Sequence, residues 1–129
     1  MARKILIVED NTDLSEFLTV FLRRVGYETS QAGNSAQGIS KALSERPDLI
    51  ITDLHLPDMT AVEATAILKK DPATSGIPIV VLTAMTNGEW KRKALKAGVA
   101  EYLIKPIAPF ELAKIVDTLT QPPPVLTEL

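Results

Sequence analysis

The chain of 129 residues contains no cysteine and only one histidine. Without cysteine there is neither a disulfide framework nor a thiolate metal site, a composition that fits a reducing cytosol. Because no second imidazole exists to share a metal, we do not expect the ring of His55 to be a metal ligand. Its backbone carbonyl remains available, so any metal site should be built from oxygen atoms.

Long apolar runs and clusters of basic residues are also missing. No apolar run approaches membrane-spanning length, and the apolar stretch after Met1-Ala2-Arg3-Lys4 is too short for a signal peptide. Fourteen basic residues against sixteen acidic ones give a net charge of −2, and no window has the clustered Lys and Arg of a nucleic-acid-binding surface. We therefore expect a soluble, cytoplasmic protein that binds neither membranes nor nucleic acid directly.

Five strand-like segments alternate with five segments of helical periodicity. Strands are predicted over residues 4–10, 27–32, 48–53, 77–83 and 99–104, and helices after Asn11, Gly33, Met59, Met85 and Ala108. Helical connections between successive strands indicate a parallel sheet. The fold class is therefore α/β, a doubly wound sheet between two helical layers, with the more polar segment 27–32 at an edge.

The chain length suits one domain over residues 1–121, followed by a proline-rich tail over residues 122–129. Two interpretations of this ending stand side by side. The chain is either a complete single-domain protein or a domain cut from a longer protein within a proline linker.

Two helices should begin with a capping box, one from Thr60 to Glu63 and one from Thr86 to Glu89. The helix predicted from Thr86 to Ala97 has a thin apolar stripe, made only of Trp90, Ala94, Leu95 and Ala97. A weakly anchored helix is a candidate for movement.

Polar side chains follow four of the predicted strands. Glu9 and Asp10 end the first strand, Asp53 the third, Thr83 the fourth, and Lys105 follows the fifth. Carboxyl ends of parallel strands meet at one edge of a sheet, where ligands bind, so these five side chains should lie together. The alternative to a functional site is an ion-paired cluster that only stabilises the fold.

The predicted cluster contains more negative charge than its lysine can neutralise. Two unit charges about 4 Å apart repel by roughly 4 kcal/mol at an effective dielectric of about 20, and Lys105 can neutralise only one carboxylate. Oxygen ligands with excess negative charge suit Mg²⁺. A carboxylate nucleophile beside a divalent cation, an ammonium and a hydroxyl is the arrangement of a phosphoryl acceptor.

At these positions the chain resembles the receiver domain of bacterial two-component response regulators, including the single-domain chemotaxis type. The resemblance covers residues 4–120. Its motifs are Ile7-Val8-Glu9-Asp10, Asp53-Leu54-His55-Leu56-Pro57, Leu82-Thr83-Ala84 and Tyr102-Leu103-Ile104-Lys105-Pro106. Where the family usually has a polar residue followed by glycine, this chain has Thr60 and Ala61, which should stiffen the loop without removing a ligand.

The resemblance implies a flavodoxin-like (βα)5 sheet of order 2-1-3-4-5. It implies that a histidine kinase or phosphotransfer protein phosphorylates Asp53 in a Mg²⁺-dependent reaction. Asp10, Asp53 and the backbone carbonyl of His55 would hold the metal, and Glu9 would act through water.

The same resemblance assigns phosphate binding to Lys105 and a switch to Thr83 and Tyr102. Phosphorylation should draw the Thr83 hydroxyl toward the phosphate and let the Tyr102 ring rotate inward. The output surface, for a protein partner or a homodimer, would combine the fourth helix, the fifth strand and the helix from Pro109 to Leu119. A cis Lys105-Pro106 bond is also expected.

The favoured function is a phosphorylation-activated signalling module, with self-catalysed phosphotransfer and autodephosphorylation but no small-molecule turnover. A phosphatase of the haloacid-dehalogenase type also uses an aspartate nucleophile and Mg²⁺. That family has Asp-x-Asp after its first strand, whereas Asp53-Leu54-His55 follows the third strand and lacks the second acid. A phosphorylation-independent scaffold is the third possibility, and the full set of site residues argues against it.

Overall fold

A computed structural model describes residues 2–121, in which five strands alternate with five helices. The elements are β1 (Lys4–Val8), α1 (Thr12–Arg24), β2 (Glu28–Ala32), α2 (Ser35–Glu45), β3 (Leu49–Thr52), α3 (Ala61–Lys70), β4 (Ile79–Thr83), α4 (Gly88–Ala97), β5 (Glu101–Ile104) and α5 (Pro109–Thr120). Every predicted element is present, and all strands except β1 begin one or two residues later than predicted. The predicted tail over residues 122–129 lies outside the described residues.

The strands form one parallel sheet of order β2-β1-β3-β4-β5, which confirms the predicted fold class and topology. The polar strand β2 lies at an edge, as its composition predicts. In the centre of the sheet, Val8 pairs with Thr52 and Thr52 with Val81. The central strands therefore end nearly level, and the residues that follow them are brought to one rim.

Two hydrophobic layers cover the sheet, one on each face. The layer under α2, α3 and α4 includes Leu6, Ile50, Leu54, Ile79 and Val81, and the layer under α1 and α5 includes Ile7, Leu22, Ile51, Val80 and Leu112. All residues of β3 and β4 are buried, because parallel strands are covered from both sides. Among residues 2–121, none of the helices has the length and apolar character that crossing a membrane requires.

The apolar stripes predicted for the helices are wider than the faces that become buried. On α1, Phe17 is 53% exposed and Val25 at its end is also exposed, whereas Leu18 and Leu22 are buried. Leu43 on α2 and Leu95 on α4 are exposed as well. A helix lying on a sheet buries only one side of its circumference, so residues at the margin of an apolar stripe remain in solvent.

Of the two predicted capping boxes, the one at α3 is half formed, since Thr60 caps the helix while the Glu63 carboxylate accepts from the Thr60 hydroxyl and not from its amide. The Thr60 hydroxyl accepts a hydrogen bond from the Glu63 amide at 3.3 Å, as predicted for α3. The prediction for α4 is wrong, because Asn87 and not Thr86 is the N-cap residue. The Asn87 side chain accepts from the Glu89 amide at 2.7 Å, so this closer acceptor starts the helix one residue later than predicted.

Gly38 lets α2 approach β1 closely. A Cβ atom at this position would lie 2.8 Å from Cγ2 of Val8. We expect Gly38→Ala to lower the free energy of unfolding by about 1 kcal/mol, since overpacking of roughly 1–3 kcal/mol exceeds the helix-propensity gain of about 1 kcal/mol. Urea denaturation would measure the difference.

Gly88 provides the matched control, since it begins α4 and a Cβ atom there would meet nothing within 4 Å. Gly88→Ala should be as stable as the wild type or more so. Equal stability of the two alanine variants would show that Val8 yields to the added methyl group.

Candidate functional site

The carboxyl rim of the sheet is set by backbone hydrogen bonds just beyond the strands. The Asp53 amide donates to the Val8 carbonyl at 3.1 Å, and the Lys105 amide donates to the Thr83 carbonyl at 2.8 Å. These bonds extend the pairing of β1 with β3 and of β4 with β5 by one residue. Glu9, which directly follows Val8, is thereby placed beside Asp53.

Three carboxylates meet at this rim. Glu9, Asp10 and Asp53 each place one carboxylate oxygen within 4.8 Å of the other two. Glu9 is buried, Asp53 is half-buried and Asp10 is exposed. The predicted acidic cluster is therefore assembled, and it is open to solvent on the Asp10 side.

Lys105 lies between two of these carboxylates. Its ammonium donates to Glu9 Oε1 at 3.0 Å and to Asp53 Oδ2 at 3.2 Å. Burial lowers the pKa of Lys105, but the hydrogen bond to Glu9 and the charges of Asp53 and Glu9 outweigh it and raise the pKa. The ammonium therefore stays charged. The peptide bond between Lys105 and Pro106 is cis, as predicted.

Glu9 is the most deeply buried acid of the cluster, with its side chain 5% exposed. Burial raises its pKa, and the hydrogen bonds from the Asn11 amide and from Lys105 offset only part of that effect. The Asn11 amide donates to Glu9 Oε2 at 3.1 Å. Both carboxylate oxygens of Glu9 thus already accept a hydrogen bond from the protein.

The donor set at the rim fits Mg²⁺. Carboxylate oxygens are the ligands that Mg²⁺ prefers, and an ion that keeps several waters suits a cluster with one exposed side. Asp10 and Asp53 could supply two ligands. The backbone after Asp53 is held in place, because the Leu54 amide donates to Asp53 Oδ1 at 2.6 Å and His55 forms an isolated bridge with Thr60.

Thr83 and Tyr102 both contact the backbone of Met85. The buried Thr83 hydroxyl accepts from the Met85 amide at 3.2 Å, and the Tyr102 hydroxyl donates to the Met85 carbonyl at 2.9 Å. The Tyr102 ring is only 8% exposed, so it already occupies the inward position predicted to follow phosphorylation. Its hydroxyl can be buried there because the Met85 carbonyl is an acceptor within reach.

Sequence reasoning missed two contacts that hold the loop after Asp53. The Asp58 carboxylate accepts from the amides of Ser35 and Ala36 at 2.9 and 2.7 Å, and these hydrogen bonds lower its pKa. The second contact joins the rings of His55 and Trp90, whose centroids are 4.9 Å apart. Both contacts link elements far apart in sequence, and no local spacing signals them.

A family model described as "Response regulator receiver domain" matches residues 5–117. The chain belongs to this family. MtrA, a DNA-binding response regulator of Mycobacterium tuberculosis, is 38% identical over 112 residues, which are 87% of this chain and 48% of the relative. The transcriptional regulatory protein CusR of Escherichia coli is 39% identical over 116 residues, or 90% of this chain and 50% of the relative. The chain thus spans about half the length of these relatives.

Solved receiver structures share the fold of this receiver domain. The chemotaxis response regulator CheY4 of Vibrio cholerae superposes with a TM-score of 0.86 and 28% identity, covering 92% of this chain and 99% of that one. The receiver domain of the sensor histidine kinase PA1611 of Pseudomonas aeruginosa has a TM-score of 0.85 and 29% identity, covering 93% and 98%. That structure contains a magnesium ion in its active-site cleft. The comparisons confirm the predicted family and do not favour a haloacid-dehalogenase phosphatase.

The buried Glu9 carboxylate makes the stability of this receiver depend on pH. Its raised pKa means that the folded protein binds the proton more tightly than the unfolded chain, whose value is near 4.5. This contribution is present below that pH and is lost as the pH rises through the folded pKa. In metal-free buffer, the free energy of unfolding of the wild type should therefore fall relative to that of Glu9→Gln between acid and neutral pH.

Denaturant unfolding at a series of pH values would measure this difference. Glu63→Gln is the control, because Glu63 is an exposed acid outside the rim. Parallel pH profiles for the wild type and Glu9→Gln would contradict the assignment of the raised pKa to Glu9.

Proposed function

We propose that this receiver domain is a phosphorylation-activated switch in which Asp53 accepts a phosphoryl group from a histidine kinase or phosphotransfer protein. One observation carries the proposal. Asp53 is the only acid of the rim that is both contacted by Lys105 and only half-buried, so a donor can reach a carboxylate whose surroundings already stabilise negative charge.

In the proposed transfer, an oxygen of Asp53 forms a bond to phosphorus. The bond between phosphorus and the histidine nitrogen of the donor breaks, and the imidazole leaves with the bonding electrons, neutral because its other nitrogen carries a proton. No base is required, since the ionised carboxylate has no proton to lose. Lys105, 3.2 Å from Asp53 Oδ2, is placed to donate a hydrogen bond to a transferred phosphoryl oxygen.

We propose that Asp10, Asp53 and the backbone carbonyl of His55 hold Mg²⁺, with Glu9 acting through water. The role of Glu9 is supported by its hydrogen bonds, because both its oxygens already accept from Asn11 or Lys105. Direct ligation would have to displace one of these donors. A bound Mg²⁺ supplies positive charge that offsets the repulsion between the carboxylates and an incoming phosphoryl group.

Asp53→Asn should abolish phosphorylation by acetyl phosphate, because the neutral amide lacks the anionic oxygen that attacks phosphorus. Intact-mass spectrometry should find one added phosphoryl group on the wild type in the presence of Mg²⁺ and none after metal chelation. Asp58→Asn is the matched control, since Asp58 lies in the same loop and its carboxylate caps α2 instead of facing Lys105. Labelling of the Asp53→Asn variant to the wild-type extent would refute the assignment.

The protein's own chemistry is proposed to end with hydrolysis of the aspartyl phosphate, without turnover of a small substrate. Receiver domains are signalling modules, and Asp53-Leu54-His55 lacks the second acid of an Asp-x-Asp motif. Function therefore depends on how long Asp53 remains phosphorylated and on which surface changes with it.

The proposed output surface consists of α4, β5 and α5, and would bind a protein partner or a second copy. Strand β5 lies at the sheet edge, and the exposed apolar side chains Leu95 and Ile104 lie on α4 and β5. Thr83 and Tyr102 connect this surface to the rim through Met85. A phosphoryl group that attracts the Thr83 hydroxyl would remove the acceptor of the Met85 amide and so release the loop before α4.

Thr83→Ala should weaken this coupling, because the alanine cannot bond either to a phosphoryl group or to Met85. Hydrogen exchange of the α4, β5 and α5 amides should change on phosphorylation in the wild type and change less in Thr83→Ala and Tyr102→Ala. Thr86→Ala is the control, since it removes an exposed hydroxyl from the same loop. If Asp53 is labelled and both variants keep the full wild-type response, the proposed switch is wrong.

We also propose that the protein is cytoplasmic and that the receiver domain ends near residue 121. The boundary is supported by α5, which ends at Thr120, and by the family match, which ends at residue 117. The absence of cysteine fits a reducing compartment.

A further inference from the structure

The only tryptophan and the only histidine of the chain contact each other. The ring centroids of His55 and Trp90 are 4.9 Å apart, and the ring planes meet at 84°, an edge-to-face arrangement. Trp90 is half-buried and packs against the core beneath α2, α3 and α4. His55 is exposed, so the tryptophan is the anchored member of the pair.

The contact with Trp90 determines where the imidazole of His55 lies. Among residues 2–121, the imidazole nitrogens make no hydrogen bond, and no rim carboxylate binds them. The backbone of His55 is held separately by its bridge to Thr60. Loss of the Trp90 ring would therefore free the imidazole while leaving the backbone carbonyl of His55 in place.

We propose that Trp90 is a positioning residue that holds the His55 imidazole against α4 and so prolongs the phosphorylated form of Asp53. The inference rests on the proposed function of Asp53. His55 lies two residues beyond Asp53 in the loop that leaves the rim, so its freed side chain could reach toward a water that attacks the phosphoryl group. A freed imidazole could accept a hydrogen bond from that water and orient it, whereas an imidazole packed on Trp90 is kept from doing so.

The step that this contact slows is hydrolysis of the aspartyl phosphate. A water oxygen forms a bond to phosphorus, and the bond between phosphorus and the Asp53 oxygen breaks. The Asp53 carboxylate is regenerated with the bonding electrons. One proton of the water stays on the inorganic phosphate, and the other is released to solvent.

The position of Trp90 connects this step to the output surface. Ala94 is the only buried residue of α4, so Trp90 is a major part of what anchors the helix. Movement of α4 would withdraw the tryptophan from His55. A partner that holds α4 in place would then lengthen the life of the phosphoryl group, and by linkage the phosphoryl group would favour that partner.

Trp90→Ala should accelerate loss of the phosphoryl group by about two- to tenfold, the range expected when an edge-to-face aromatic pair is removed. The protein would be labelled with acetyl phosphate and Mg²⁺, freed of reagent, and followed by intact-mass spectrometry. Trp90→Phe should stay close to the wild type because it keeps a ring. Trp90→Leu, which keeps apolar packing without a ring, should resemble Trp90→Ala.

The decisive comparison repeats Trp90→Ala in a His55→Ala background, where the acceleration should vanish. An unchanged or slower rate in Trp90→Ala, or an equal acceleration without His55, would overturn the proposal. Proton NMR of the single imidazole gives a readout independent of phosphorylation, since the ring-current shift from Trp90 should disappear in Trp90→Leu. If that shift is lost but Asp53 is never labelled, the contact is real and the proposed function of the rim has failed.

Discussion

Repulsion between carboxylates at one rim is the constraint on which the rest of this receiver domain depends. The parallel sheet brings Glu9, Asp10 and Asp53 together, and Lys105 contacts only two of them. At roughly 4 kcal/mol for each pair of charges about 4 Å apart, such a cluster costs a noticeable part of a marginal folding free energy. The buried strands β3 and β4 and the two helical layers hold the acids close in spite of that cost.

The same constraint makes the rim responsive. A group that brings or removes charge at Asp53 must change the hydrogen bonds of Lys105, because this ammonium also binds Glu9. Thr83 ends the neighbouring strand β4, and the hydrogen bond that its hydroxyl accepts from Met85 is between neutral groups and can be exchanged for a stronger one to an anion. A change of charge at Asp53 could therefore alter the loop at Met85, because the Lys105 hydrogen bonds respond to it and the Thr83–Met85 hydrogen bond is weak.

The residues of the rim could be predicted from the sequence because the signal for each of them lies within a few neighbouring positions. An apolar run followed by an acid identifies both the strand and the residue at its end, and parallel pairing then brings Asp10 and Asp53 together. Contacts that depend on how two elements cross in space were not predictable in this way. The Asp58 carboxylate on the amides of α2 and the His55 ring on Trp90 each join distant segments. The inward Tyr102 ring likewise depends on a Met85 carbonyl that no pattern indicates.

Two connections from the rim lead toward the same helix, α4. From Asp53, one connection runs through Thr83 to the Met85 backbone, and the other runs through the His55 ring to Trp90. The second ends on α4, the helix with a single buried residue, and the first ends in the loop that leads into it. A helix held by few buried contacts needs little free energy to shift. Loss of either connection should therefore change the equilibrium between positions of α4 more than that of α1 or α5. In the proposed switch, the thin apolar stripe of α4 is therefore the property that would let a charge at the rim reach the surface.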